Sequence, residues 1–185
     1  MSHRVCPWWL GYFLASALRR LVHDPAAILR PFVSEGMTVV EPGPGMGFFT
    51  LELARLVGPS GRVIAVDVQP KMLAELRRRA AKAGVLDRIE ARQGPGDRMG
   101  LNDLNGQADF ALAFAVVHEL PSAGKFFAEV STVLKPGRRL LLAEPHFHIS
   151  EEAFSATLQT AVQNGFRVDS RPVIRWTRTA VLVRV

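Results

Sequence analysis

The strongest chemical signal is the string Glu41-Pro42-Gly43-Pro44-Gly45-Met46-Gly47, with Asp67 twenty residues beyond Gly47. Glycine where a strand meets a helix lets the backbone approach a ligand with no Cβ in the way. An acid at the tip of the next strand suits a ribose diol. Together they fit a nucleotide-like ligand, though not a dinucleotide. The G-x-G-x-x-G/A pattern counted from Gly43 ends on Phe48 and fails. A P-loop is excluded because no Gly-Lys-Ser/Thr occurs. Phe48 at the start of a helix disfavours a pyrophosphate seated there but tolerates a nucleoside without phosphate. Glu41 adds negative charge where a cationic amino group could sit.

A second group of residues suits proton chemistry. Three of the five histidines, His118, His146 and His148, lie with Glu119 and Glu144 just after two expected strands. Histidine suits base work near neutral pH, and a base is needed only when the acceptor carries a proton at attack. His118 and His146 are the favoured candidates, with Glu144 beside them. Structural alternatives stand next to these readings. His118-Glu119 could order the loop before Pro121, and Glu144-Pro145 could be a turn. In an extended segment His146 and His148 would point the same way, but two histidines carry little weight as a metal site, and no metal is expected. Cys6 is the single cysteine, which excludes a disulfide scaffold and an all-cysteine metal cluster within one chain.

These residues need elements to position them. Val39-Val40 reads as a short buried strand, and Phe48 to Val57 as a helix stopped by Gly58-Pro59-Ser60-Gly61. Arg62 to Asp67 is a second strand. Gln69-Pro70 opens a helix from Lys71 to Ala83. Arg88 to Gln93 and Asp109 to Phe114 read as the third and fourth strands. A helix from Pro121 to Leu134 is closed by Lys135-Pro136-Gly137 before a fifth strand, Arg139 to Ala143. A helix from Glu151 to Asn164 precedes strands from Phe166 to Val173 and Thr179 to Val185. The alternation predicts an α/β domain with a largely parallel sheet. The short link Ile174 to Arg178 predicts that the last two strands pair antiparallel. Residues 1–31 stand outside the alternation as a helical, aromatic preface to a domain over residues 32–185.

Composition narrows the classes. The chain has 185 residues, 48% hydrophobic and 22% charged, which fits one domain with a real core and excludes disorder. No apolar run reaches the ~18 residues that span a membrane. The net charge of +6 is mostly scattered, densest at Arg77, Arg78, Arg79 and Lys82. That run reads as a solvated helix face, with an anionic partner as the alternative. Near the N-terminus, Pro7, Trp8 and Trp9 break the leucine-rich stretch a signal peptide needs, so a cytoplasmic protein is expected. The segment Cys6 to Leu14 holds two of the three tryptophans and the sole tyrosine. It could pack on the core, close as a lid over an apolar substrate, or touch a membrane surface.

Glu41 to Gly47, Val66-Asp67-Val68, Ala108-Asp109-Phe110 through His118-Glu119, and Leu134-Lys135-Pro136-Gly137 together resemble a class I S-adenosylmethionine-dependent methyltransferase. Within that family the chain is most similar to the small-molecule branch with the ubiquinone/menaquinone C-methyltransferases, over about residues 25–185. The resemblance implies a Rossmann-like sheet of seven strands in the order 3-2-1-4-5-7-6, strand 7 antiparallel. It implies S-adenosyl-L-methionine as cofactor and S-adenosyl-L-homocysteine as product. Gly43, Gly45 and Gly47 would line the cofactor, Glu41 would lie near its amino group, Asp67 would bind the ribose, Val68 would flank the adenine, and Phe114 would lie near cofactor and acceptor. The family often has Gly-Asp-Ala after the third strand. Here Gln93-Gly94-Pro95-Gly96-Asp97 leaves the adenine amine to Asp97 or to backbone groups.

The expected reaction is transfer of a methyl group to a small, apolar or aromatic acceptor. An RNA methyltransferase and a non-catalytic cofactor-binding module are the alternatives. The basic charge favours RNA. No RNA-binding appendage is visible, and Phe114-Ala115-Val116-Val117 stands where amino-methylating nucleic-acid enzymes carry Asn/Asp-Pro-Pro-Tyr/Phe. The expected partner is therefore a small molecule rather than nucleic acid, and the single cysteine speaks against arsenic chemistry.

Overall fold

A computed structural model describes residues 22–96 and 98–185. Residues 1–21 of the aromatic preface, with Cys6, Trp8, Trp9, Tyr12, Arg19 and Arg20, and also Asp97, lie outside the described residues. The sheet has seven strands in the order β3-β2-β1-β4-β5-β7-β6. The described chain divides after Gly94 into two compact units.

In the first unit, the helix α1 (Pro25–Leu29) is capped by the Asp24 carboxylate, which accepts the Ala26 N–H, and Pro25 sits in its first turn. β1 (Thr38–Pro42) and β2 (Arg62–Asp67) follow, separated by α2 (Thr50–Leu56). β3 (Ile89–Gln93) completes a parallel trio, with Val40 opposite Ile64 and Ala65 opposite Ala91. Val39, Val40, Val63, Ile64 and Ala65 are all fully buried. Continuous apolar runs of this kind belong to parallel strands covered on both faces. α3 (Pro70–Lys82) buries Met72, Leu73, Leu76 and Ala80 at helical spacing. Its basic run is tied to its own chain. Arg77 Nη2 donates to the Ala91 carbonyl at 2.6 Å, Arg78 forks onto Glu75, and Arg79 Nη1 donates to the Met46 carbonyl at 2.6 Å.

In the second unit, β4 (Ala108–Phe114) runs parallel to β5 (Leu134–Pro145), while β7 (Thr177–Arg184) runs antiparallel to both β5 and β6 (Phe166–Ser170). The short link therefore did what its length predicts. α4 (Ala123–Val133) and α5 (Glu151–Gln163) start on serine caps, Ser122 and Ser150, whose hydroxyls accept the Lys125 and Ala153 N–H groups. Glu129 on α4 accepts the N–H groups of Met99 and Leu101 and so fixes the segment before β4.

β5 begins earlier than expected. Leu134 already pairs with Ala108, while Arg139 pairs with Phe110, so Lys135-Pro136-Gly137-Arg138 bulges out within the strand instead of separating it from the helix. Asp109 holds the bulge through Lys135 Nζ at 2.6 Å and Arg138 Nη2 at 3.6 Å. At the far end β6 stops at Ser170 rather than Val173, and β7 starts at Thr177 rather than Thr179. Among the described residues no helix is long and apolar enough to cross a membrane.

Candidate functional site

In the first unit the site is built where β1 and β2 end. The Gly43 N–H continues the ladder by donating to the Val66 carbonyl at 2.9 Å. Beyond it the chain turns through Gly45 and Gly47, both at positive φ. Gly45 donates its N–H to Asp67 Oδ2 at 3.2 Å, and the Gln69 N–H donates to Asp67 Oδ1 at 2.9 Å. One carboxylate thus ties the glycine turn to the start of α3. Asp67 is buried, and burial pushes its carboxyl above the usual range, opposed by the N–H groups of Gln69, Gly45 and Val68. Glu41 is buried on the neighbouring strand, opposite Ala65. Val68 is exposed beside Asp67.

A nucleoside sulfonium fits this pair of carboxylate acceptors. A Cβ at Gly45 would meet nothing within 4 Å, so the turn leaves open space beside the Asp67 carboxylate. Two buried carboxylates on adjacent strands favour a ligand with hydroxyl donors and positive charge.

Gly47 has a different role. A Cβ there would lie 2.4 Å from Leu76 Cδ1, and Leu76 is fully buried in the core. With φ at +85° as well, Gly47→Ala is expected to destabilise the protein by about 2–4 kcal/mol from backbone strain and overpacking. Gly45→Ala carries the strain alone and is expected to cost about 1–2 kcal/mol. Chemical denaturation of both variants checks the order.

Arg79 was not visible as a site residue in the sequence. Its bond to the Met46 carbonyl anchors the glycine turn from α3. The tight arginine run hinted at surface charge only.

In the second unit, β4 ends at the buried Phe114, and Ala115 takes a left-handed φ of +58° with its N–H donating to the Ala143 carbonyl at 2.7 Å. That bend leads into a 3-10 turn, Val117–Glu119. Glu144, fully buried on β5, accepts the Val117 N–H at 2.7 Å through one oxygen and bonds His118 Nδ1 through the other. The bond to Glu144 raises the His118 pKa, against burial, which lowers it. The bond at Nδ1 leaves Nε2 as the ring's second proton-handling atom. Nε2 lies 3.9 Å from Glu119 Oε1. The His148 ring is 5.4 Å from the His118 ring, centroid to centroid.

Of the two favoured histidines, then, Glu144 holds His118. His146 is exposed, its ring is 4.6 Å from that of Phe147, and its backbone N–H donates to the Trp176 carbonyl. Glu144-Pro145 is part of the strand, not a turn. Among the described residues no group of three or more histidines, cysteines and acids could hold a metal ion.

A family described as a methyltransferase domain matches residues 33–170. The chain is 31% identical over 112 residues to the ubiquinone/menaquinone biosynthesis C-methyltransferase of Pasteurella multocida, covering 60% of this chain and 41% of that protein. It is 30% identical over 112 residues to the arsenite methyltransferase of Halobacterium salinarum, covering 60% of this chain and 28% of that one. The chain spans less than half the length of these curated relatives. Among solved structures, an S-adenosylmethionine-dependent methyltransferase from Aquifex aeolicus superimposes with a TM-score of 0.87 at 25% identity, over 98% of this chain and 100% of that one.

Proposed function

The chain belongs to the class I S-adenosylmethionine-dependent methyltransferase family, and from that premise we propose that it moves a methyl group to a small, apolar or aromatic acceptor that loses a proton on the way. S-adenosylmethionine is the cofactor, and when bound it supplies an electrophilic methyl on a sulfonium. In this reading Asp67 takes the ribose hydroxyls, Glu41 the amino group, and Gly43, Gly45 and Gly47 admit the cofactor. Val68 flanks the adenine, Phe114 lines the acceptor side, and Asp97 or backbone groups read the adenine amine.

The observation that carries the proton step is the buried carboxylate of Glu144 on His118 Nδ1. A carboxylate in that place orients the ring, selects the tautomer with Nε2 as acceptor, and stabilises the imidazolium that forms when Nε2 takes a proton. His118 is thus the proposed base and Glu144 its positioning residue. His146 is left a role in contacting the acceptor. The likeness to a C-methyltransferase supports an apolar acceptor. The likeness to an arsenite methyltransferase carries over less well, because the chain has a single cysteine.

The test is a methyl-transfer screen with isotopically labelled cofactor against cell metabolites and total RNA, read by mass. Label is expected in small apolar or aromatic compounds and not in RNA. Label in RNA would overturn the acceptor class. Cofactor binding with no transfer to either pool would favour the non-catalytic module.

A further inference from the structure

We propose that the loop tips joining β5 to α5 and β6 to β7 form a docking surface for an anionic lipid bilayer. The register sets Pro145 opposite Thr177, and the His146 N–H donates to the Trp176 carbonyl at 3.1 Å. These bonds bring residues 146–149 and 171–176 to one end of the β5–β7 pair. At that end Val173 is 99% exposed, Phe147 66% and Trp176 46%. Large apolar side chains gathered at one exposed place mark an interaction site rather than ordinary surface.

The shape selects the kind of partner. Among the described residues nothing stands over Val173, so this end offers a tip rather than a groove for a ligand or a helix. A bilayer receives protruding apolar side chains, and tryptophan is enriched at its interface. Charge agrees with the shape. Residues 171–178 carry Arg171, Arg175 and Arg178 and no acid. Arg171 and Arg178 both pair with Glu151, at 2.6 Å and 3.7 Å, and Arg178 also attracts Glu152, which leaves Arg175 as the cation set beside the aromatic ring. The Arg175 guanidinium lies 4.8 Å over the Trp176 ring, so cation and aromatic are presented together.

The backbone at Trp176 is held at a cost. Trp176 has φ of +60°, a conformation that bulky side chains rarely adopt. It is kept there by the Thr177 N–H and hydroxyl, both donating to the Ile174 carbonyl, and by the bond from His146. Such strain persists where surrounding contacts over-determine it, and it clusters at functional sites.

The surface also borders the candidate base. The Phe147 ring is 5.9 Å from His148, whose ring is 5.4 Å from His118. Docking would bring the His118 side of this unit to an apolar acceptor dissolved in the bilayer. That link rests on the proposed methyl transfer, whereas the surface itself stands on exposure, shape and charge.

Co-sedimentation of the full chain with vesicles tests it without any turnover. Binding to phosphatidylglycerol–phosphatidylcholine vesicles is expected, weaker on pure phosphatidylcholine and falling with added salt. A triple variant, Phe147→Ser, Val173→Ser and Trp176→Asn, is expected to lose at least about tenfold in vesicle affinity. Its melting temperature should stay near the parent's, because asparagine tolerates the left-handed backbone. Val173→Ser alone, at the most exposed position, keeps the test open should the triple variant unfold. Arg175→Gln is expected to weaken binding about fivefold on anionic vesicles only. No vesicle binding by the parent, or equal binding by parent and triple variant, overturns the proposal. Self-association of the parent that the triple variant abolishes, without vesicle binding, overturns it as well. Vesicle binding by a protein that transfers no methyl group supports the surface while counting against the methyl-transfer reading.

Discussion

Replacing Asp67 with alanine is expected to weaken S-adenosylmethionine binding by roughly 10- to 10⁴-fold. Each charge-assisted hydrogen bond from a ribose hydroxyl to the carboxylate contributes about 1.5–3 kcal/mol, and one or two are lost. The same carboxylate accepts the Gly45 and Gln69 N–H groups, so the glycine turn loosens in the variant and adds to the loss. Asp67→Asn separates the two contributions. It keeps the volume and one acceptor oxygen but turns an amide donor toward a donor, Gly45 or Gln69. Calorimetry of both variants checks the role, and unchanged affinity in Asp67→Ala would remove Asp67 from the cofactor site.

The pH dependence has a definite sign. Burial raises the Asp67 pKa in the protein without cofactor, and in the proposed site the ribose hydroxyls would bind its charged form. Cofactor binding should therefore release a proton at pH values near that raised pKa. Affinity should fall as pH drops through the range just above the ordinary carboxylate value. Asp67→Asn should flatten this dependence.

The second large effect is expected at His118. His118→Gln should lower turnover by about 10²–10⁴-fold, the usual contribution of a general base, with cofactor affinity nearly unchanged. Glutamine can still donate to Glu144. Alanine would take the ring from that fully buried carboxylate and leave it the Val117 N–H, at a cost of up to about 3–5 kcal/mol, confusing activity with stability. Because the bond to Glu144 raises the His118 pKa, turnover in the parent should fall as pH drops through a midpoint above the ordinary histidine value. Glu144→Gln should move that midpoint down while lowering the maximum rate, a change that simple destabilisation would not produce. A flat pH profile with parent-like rates in both variants would leave proximity and orientation as the whole of catalysis.

The same pair leaves a mark on stability. A histidine whose pKa is raised by folding stabilises most when charged. The contribution is complete below the unfolded value, about 6.5, and is lost as pH rises through the folded pKa. Thermal melts of the parent should therefore show a loss over that window, which Glu144→Gln abolishes.

Much of this protein was open to reading in its amino-acid order. Glycine, proline and strand-to-helix periodicity act over a few residues, so the glycine turn, Asp67, the elements and the antiparallel last pair follow from local chemistry. The strand order came from resemblance to a family, because pairing between distant strands leaves no local trace. Tertiary structure alone decided which histidine acquires a partner. Glu144 is two residues from His146 and twenty-six from His118, yet β4–β5 pairing delivers the distant ring to it and turns the nearer one out to solvent. It also decided that Arg79 reaches back thirty-three residues to the Met46 carbonyl, and that Leu134 enters the sheet before the Pro136-Gly137 bulge. Each of these is a contact between segments far apart in the chain. Its energy depends on where the sheet register sets the two backbones, and composition and spacing do not carry that information.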